Sequence, residues 1–115
     1  MLTFKKPKEV VDAPPKEDYR HYVPVTASGL EVVREGEHGM VLGNRDRPQD
    51  RRVQVDAIGA ELLSMLDGGR TLEELIEAFA DIHLLSYLES RALIMAWLRP
   101  LVQRELVRLE NRDES

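Results

Sequence analysis

The stretch Asp56-Ala57-Ile58-Gly59-Ala60-Glu61-Leu62-Leu63-Ser64-Met65-Leu66-Asp67-Gly68-Gly69-Arg70-Thr71-Leu72-Glu73-Glu74-Leu75 decides the fold, because it reads as two amphipathic helices joined by a very short glycine-containing turn. Asp56 is placed to cap the first helix and the Asp67-Gly68-Gly69 run to end it. Thr71, followed three residues later by Glu74, has the form of a capping box opening the second. The first helix is expected over about residues 57 to 66, with Ile58, Leu62, Met65 and Leu66 on one face and Leu63 at its flank. The second is expected over about residues 72 to 82. Its apolar stripe is Leu72, Leu75, Ile76 and Phe79, and Glu73, Glu74 and Glu77 face water. Two helices so closely coupled form a helix-turn-helix element.

Working upstream, Arg52-Val53-Gln54-Val55 reads as a short strand. Leu30 to Arg34 and Gly39 to Gly43 read as two more, joined through a Gly36-Glu37-His38 turn into a hairpin. A polar loop from Asn44 to Asp50, containing Pro48, separates the hairpin from the third strand. Residues 1 to 24 contain Pro7, Pro14, Pro15 and Pro24, which disfavours a long regular element, so an arm is expected there; Tyr19, Tyr22 and Val23 are apolar enough for its end to dock on the core. Downstream, Ser86 with Glu89 forms a second capping box, opening a third helix that carries Leu88, Leu93, Ile94, Met95, Trp97, Leu98 and Leu101 on more than one side. Pro100 lacks an amide hydrogen and clashes with the carbonyl four residues back, which predicts a kink or restart. Leu106-Val107-Arg108-Leu109 is expected to close the fold as an extended segment. The organisation is therefore an arm (1–24), one domain (25–110) and a frayed tail (111–115), of α+β class.

A length of 115 residues suits one small core. The absence of cysteine excludes disulfides, thiolate metal sites and cysteine nucleophiles. No apolar run approaches the ~20 residues that span a bilayer, and no apolar stretch follows the basic N-terminal residues, so a cytoplasmic protein without a membrane partner is expected. His21, His38 and His83 stand far apart with no zinc spacing, and neither a phosphate loop nor a Gly-x-Ser-x-Gly elbow is present. The sequence thus points away from an enzyme and calls for no cofactor. The net charge of −5 is polarised: Arg45, Arg47, Arg51 and Arg52 cluster in one loop, whereas residues 61 to 81 hold six acidic residues against Arg70 alone.

Several motifs resemble the PqqD-like family, the pyrroloquinoline quinone biosynthesis protein D group of peptide-binding domains. They are Gly59-Ala60-Glu61 opening helix 1, Leu66-Asp67-Gly68, Arg70-Thr71, Leu72-Glu73-Glu74-Leu75, Trp97-Leu98, Leu101 and Leu106-Val107. The match in order runs from about Leu30 to Leu109. The departures are Glu105 where a glycine is common, Pro100 inside helix 3, the arginine-rich loop and the long arm. The resemblance implies a winged-helix-type arrangement of an N-terminal three-stranded antiparallel sheet followed by three helices. It also implies a non-catalytic recognition element that binds the leader of a ribosomally made precursor peptide and presents it to a maturation enzyme, often a radical-SAM protein. Transferred by position, the leader would add as a strand along Arg52, Val53, Gln54 and Val55 and fill a groove beside helix 3. If Ile94, Trp97, Leu98 and Leu101 point inward, then Leu88, Arg91, Met95 and Arg99 are expected on the peptide side, Met95 as an adaptable apolar contact and the arginines as partners for leader carboxylates.

Two rivals use the same architecture. A winged-helix regulator should present Lys and Arg to phosphates, but helix 2 is acidic and helix 3 nearly balanced, so nucleic acid is not the expected partner. An adaptor for another protein would use the groove without a leader peptide, and a homodimer that exchanges the arm is a further arrangement the chain allows.

Overall fold

Among residues 19–111, which the computed structural model describes, a 3-10 turn at Tyr19–His21 precedes β1 (Tyr22–Thr26), β2 (Leu30–Gly36), β3 (Gly39–Asn44) and β4 (Val53–Asp56). Then come α1 (Ala57–Ser64), α2 (Leu72–His83), α3 (Tyr87–Gln103) and β5 (Val107–Asn111). The architecture is α+β, with a three-stranded antiparallel sheet in the order β2-β3-β4 and three helices. The part of the expected arm up to residue 18 and the tail beyond residue 111 lie outside the described residues.

The hairpin β2-β3 turns at Glu37-His38, with Gly36 opposite Gly39. Gly39 has φ 145°, and a Cβ there would overlap the Val55 carbonyl oxygen, so only glycine lets β3 and β4 approach so closely. Opposite one another on β3 and β4 lie Met40 with Val55 and Leu42 with Val53. Those four side chains share a face of the sheet, and Leu42 and Val55 on it are buried.

α1 packs on that face, and all three helices join it in one core through the stripes that periodicity predicts: Leu62 from α1, Leu72, Leu75, Ile76 and Phe79 from α2, and Ile94, Leu98 and Leu101 from α3, all buried. Each such side chain contributes roughly 1.5–3 kcal/mol by leaving water. The caps form as expected. Asp56 accepts from the Gly59 amide at 2.8 Å, and Thr71 with Glu74 and Ser86 with Glu89 make reciprocal capping boxes. The buried Ser90 hydroxyl donates to the Ile76 carbonyl at 2.8 Å, fastening α3 to α2 without an unmet polar group.

Three details depart from expectation. First, α1 ends at Ser64 rather than Leu66, because the Met65 and Leu66 amides turn back to the Leu62 and Leu63 carbonyls in a tighter, 3-10-type closure. Second, α3 runs unbroken through Pro100. Pro100 and Ala96, whose carbonyl loses its helical donor, both lie on the exposed side of the helix, where that carbonyl is not trapped in the core. Third, the end of the arm is a strand: β1 pairs antiparallel with β5, Tyr22 opposite Asn111 through Thr26 opposite Val107. Ala27 N donates to Leu106 O, so ladder alternation turns the nitrogen of Pro24 away from β5 and the proline is tolerated. Val23 and Val107 of this ribbon are buried, as is Tyr19. The Tyr19 and Tyr87 hydroxyls share a 2.7 Å hydrogen bond, and burial, then that bond, pushes the Tyr87 hydroxyl well above the ordinary phenol range.

Candidate functional site

The outer edge of β4 has no strand beside it among the described residues, since β4 ends the order β2-β3-β4. The Val55 carbonyl points at Gly39 of β3. Because the groups of successive residues alternate sides, the amide and carbonyl of Gln54 point the other way, outward from the sheet edge. Beside that edge runs a groove of about 350 Å³. One wall is Val53 to Asp56 of β4, the floor is Ile58, Gly59 and Leu62 of α1, and the far wall is Leu93, Ala96, Trp97 and Pro100 of α3. The α3 residues follow the i, i+3, i+4, i+7 spacing of one helical face, distinct from the Ile94, Leu98 and Leu101 face that enters the core.

Gly59 sets the depth of the groove. A Cβ there would lie 3.0 Å from Trp97 Cδ1, 3.0 Å from Val55 Cβ and 3.1 Å from Trp97 Nε1. The indole therefore rests on bare backbone at the start of α1, and its Nε1 is buried with no hydrogen-bond partner among the described residues. An unmet donor of this kind costs about 1–3 kcal/mol, so Trp97 stands in the wall at an energetic penalty. Ile58, expected in the core, is 40% exposed along the floor. Ala96 and Pro100 both line this wall, and Pro100 leaves the Ala96 carbonyl without its helical donor.

The strand residues expected at the site are brought together: Val53, Gln54 and Val55 line the groove, with Val53 and Val55 on the core side of the sheet and Gln54 on the other. Arg52 precedes β4, is exposed, and lies over Gly43 of β3 outside the groove lining. The four α3 residues expected there do not line it. Leu88 is exposed in the first turn, the Arg91 guanidinium sits 5.9 Å from the centre of the Tyr19 ring, Met95 packs partly buried against the core, and Arg99 is exposed. At 100° per residue these four fall on the side of α3 roughly opposite Leu93, Ala96, Trp97 and Pro100. Trp97, expected to point inward, is partly buried against the core and also lines the groove. The residue that marks the groove-lining face is Gly59, whose missing Cβ leaves room for the Trp97 ring at the start of α1.

The arginine-rich loop is used structurally. Arg45 donates to the Ser28 carbonyl at 2.8 Å, and Arg47 pairs with Asp50 at 2.6 Å and with Glu105 at 3.4 Å. Glu105 has φ 59°, a left-handed turn position that glycine would adopt without strain. In α2, Glu73, Glu74, Glu77 and Asp81 occur with no Lys or Arg, a poor surface for phosphates. No group of three or more metal-ligating side chains occurs among the described residues, and no helix there is long and apolar enough to cross a membrane.

No protein-family model and no curated protein matches the sequence. Among solved structures, TbiB1 in complex with the TbiA(beta) leader peptide superposes with a TM-score of 0.59, covering 79% of this chain and 98% of that one. The two chains share a fold. At 18% identity the likeness extends to the fold and no further.

Proposed function

We propose that this chain is a non-catalytic, PqqD-like recognition domain for the leader of a ribosomally made precursor peptide. The leader adds as a strand along the outer edge of β4, where the Gln54 amide and carbonyl supply sequence-independent hydrogen bonds. One or two apolar leader side chains enter the groove between Val53, Val55 and the α3 wall, and they set specificity. The domain then holds the remainder of the precursor near a maturation enzyme, of the radical-SAM class or another modifying type, raising its effective concentration there rather than lowering a chemical barrier.

The observation that carries this reading is an open strand edge beside an apolar groove, in a fold shared with a protein solved in complex with a leader peptide. Trp97, the single tryptophan, lines the groove and reports its occupancy. The test is a fluorescence titration of the full chain with synthetic leader peptides from precursor genes neighbouring its own. Saturable change with one of them supports the reading. Silence with all of them, together with a salt-sensitive response to duplex DNA, would replace it with a nucleic-acid regulator.

A further inference from the structure

The corner between α2 and α3 breaks three local rules at once. Ile82 is 58% exposed, Leu84 92% and Leu88 62%, three large apolar side chains within seven consecutive residues. Leu84 also stands in the left-handed region at φ 56°, where it caps the C-terminus of α2. Glycine or asparagine would serve that cap without steric cost, so the fold alone gives no reason for a leucine that is both strained and exposed. Glu77 and Asp81 lie four residues apart on the exposed side of α2, and like charges at that spacing repel one another and weaken a helix. Departures from local rules of this kind gather at functional sites.

Charge indicates what covers the corner. Residues 71 to 90 hold Glu73, Glu74, Glu77, Asp81 and Glu89 with no Lys or Arg. Three of these acids are used within the fold: Glu73 pairs with Arg20 at 3.5 Å, and Glu74 and Glu89 close the capping boxes of α2 and α3. Glu77 and Asp81 have no ion-pair partner among the described residues. A second copy would bring the same two carboxylates to the contact, and an anionic membrane would repel them. Lys or Arg beside an apolar side chain matches both parts of the surface. The corner is also clear of the groove: Leu88 lies on the side of α3 opposite Trp97 and about 14 Å from it along the helix, so both surfaces can be occupied together.

We propose that the α2–α3 corner is the docking surface for the maturation enzyme, whose contacting element carries an apolar side chain flanked by Lys or Arg. The apolar group covers Ile82, Leu84 and Leu88, and the cations face Glu77 and Asp81. This assignment rests on the leader-recognition reading and adds a second face to it. One side of α3 holds the leader, and the other holds the enzyme that acts on the precursor.

The test uses the full chain, synthetic leader peptides and the purified modifying enzyme encoded beside its own gene. Two variants are compared with the parent. Leu84→Gly removes the apolar side chain while relieving the left-handed strain, so it does not threaten folding, and Glu77→Lys with Asp81→Lys reverses the charge on an exposed helix face. Both are expected to weaken enzyme binding about tenfold in interferometry, with leader affinity, read by Trp97 fluorescence, the same in all three proteins. Enzyme binding that is absent in the parent, or unchanged in both variants, while the leader still binds would overturn the docking surface and leave the leader reading standing. Self-association of the parent that Leu84→Gly abolishes in sedimentation would put a second copy on the corner and overturn it as well. A chain that binds no leader would overturn the reading beneath the proposal, and the proposal with it.

Discussion

The two edges of the main sheet are treated in opposite ways. β2 is seven residues long, carries Glu31, Arg34 and Glu35, and is bulged between Val32 and Arg34. Charged side chains and a bulge are the devices by which an edge resists pairing with another strand. β4 is four residues long and regular. Its single charged side chain, Asp56, is turned to cap α1, and an apolar groove lies alongside. The β2 edge carries devices that resist strand addition, and the β4 edge has no bulge and no charge other than the capping Asp56. The difference supports β4 rather than β2 as the seat of the proposed leader strand.

The largest test of this contrast is Gly59→Val. Side-chain atoms forced against Trp97 and Val55 should cost about 1–3 kcal/mol of stability in denaturant titration, as overpacking does, and close the groove to leader peptide. Next is Gln54→Pro, which deletes an outward amide without touching the ladder to β3. It should weaken leader binding about tenfold, one lost hydrogen bond being worth about 1 kcal/mol and the altered backbone adding to it, while the fold persists. The mirror change Arg34→Thr on β2 should leave leader affinity as it was. If the two edges respond alike, the contrast fails.

Pro100→Ala is smaller and has opposite effects on two properties. Restoring the donor for the Ala96 carbonyl should raise stability by about 1 kcal/mol, read from the unfolding midpoint. It should also occupy that carbonyl, on a residue of the groove wall, and weaken the leader two- to fivefold, about 0.5–1 kcal/mol. The smallest effect concerns acid. The Gly69 amide, and less strongly the Arg70 amide, hold the Asp67 carboxyl below its usual pKa at the turn into α2. A depressed folded pKa means that its stabilising share is present above the unfolded value and is lost as pH falls through the folded one. Asp67→Asn should therefore show a slightly flatter loss of stability below the carboxylate range in pH-dependent thermal melts.

Much of the scaffold was legible because local rules and tertiary packing agree there. Asp56, Thr71 with Glu74, and Ser86 with Glu89 mark the helix starts to the residue, and the β2-β3 turn declares itself in Gly36 to Gly39. β1 was hidden because its stabilising partner, β5, lies more than 80 residues away and Pro24 sits in its middle. Of the candidate site, the strand half could be read from position, but the α3 half could not. Helix 3 has apolar residues on several sides, and which side meets the groove is decided by the fit of Trp97 on Gly59, a contact between elements that periodicity does not encode.

The most direct measurement is amide hydrogen exchange of the full chain with and without a leader peptide that shifts Trp97 fluorescence. The account predicts new protection at the Gln54 amide while the β2 edge continues to exchange as before. Protection that falls on β2, or a Gln54 amide whose exchange is unchanged at saturating peptide, would contradict it.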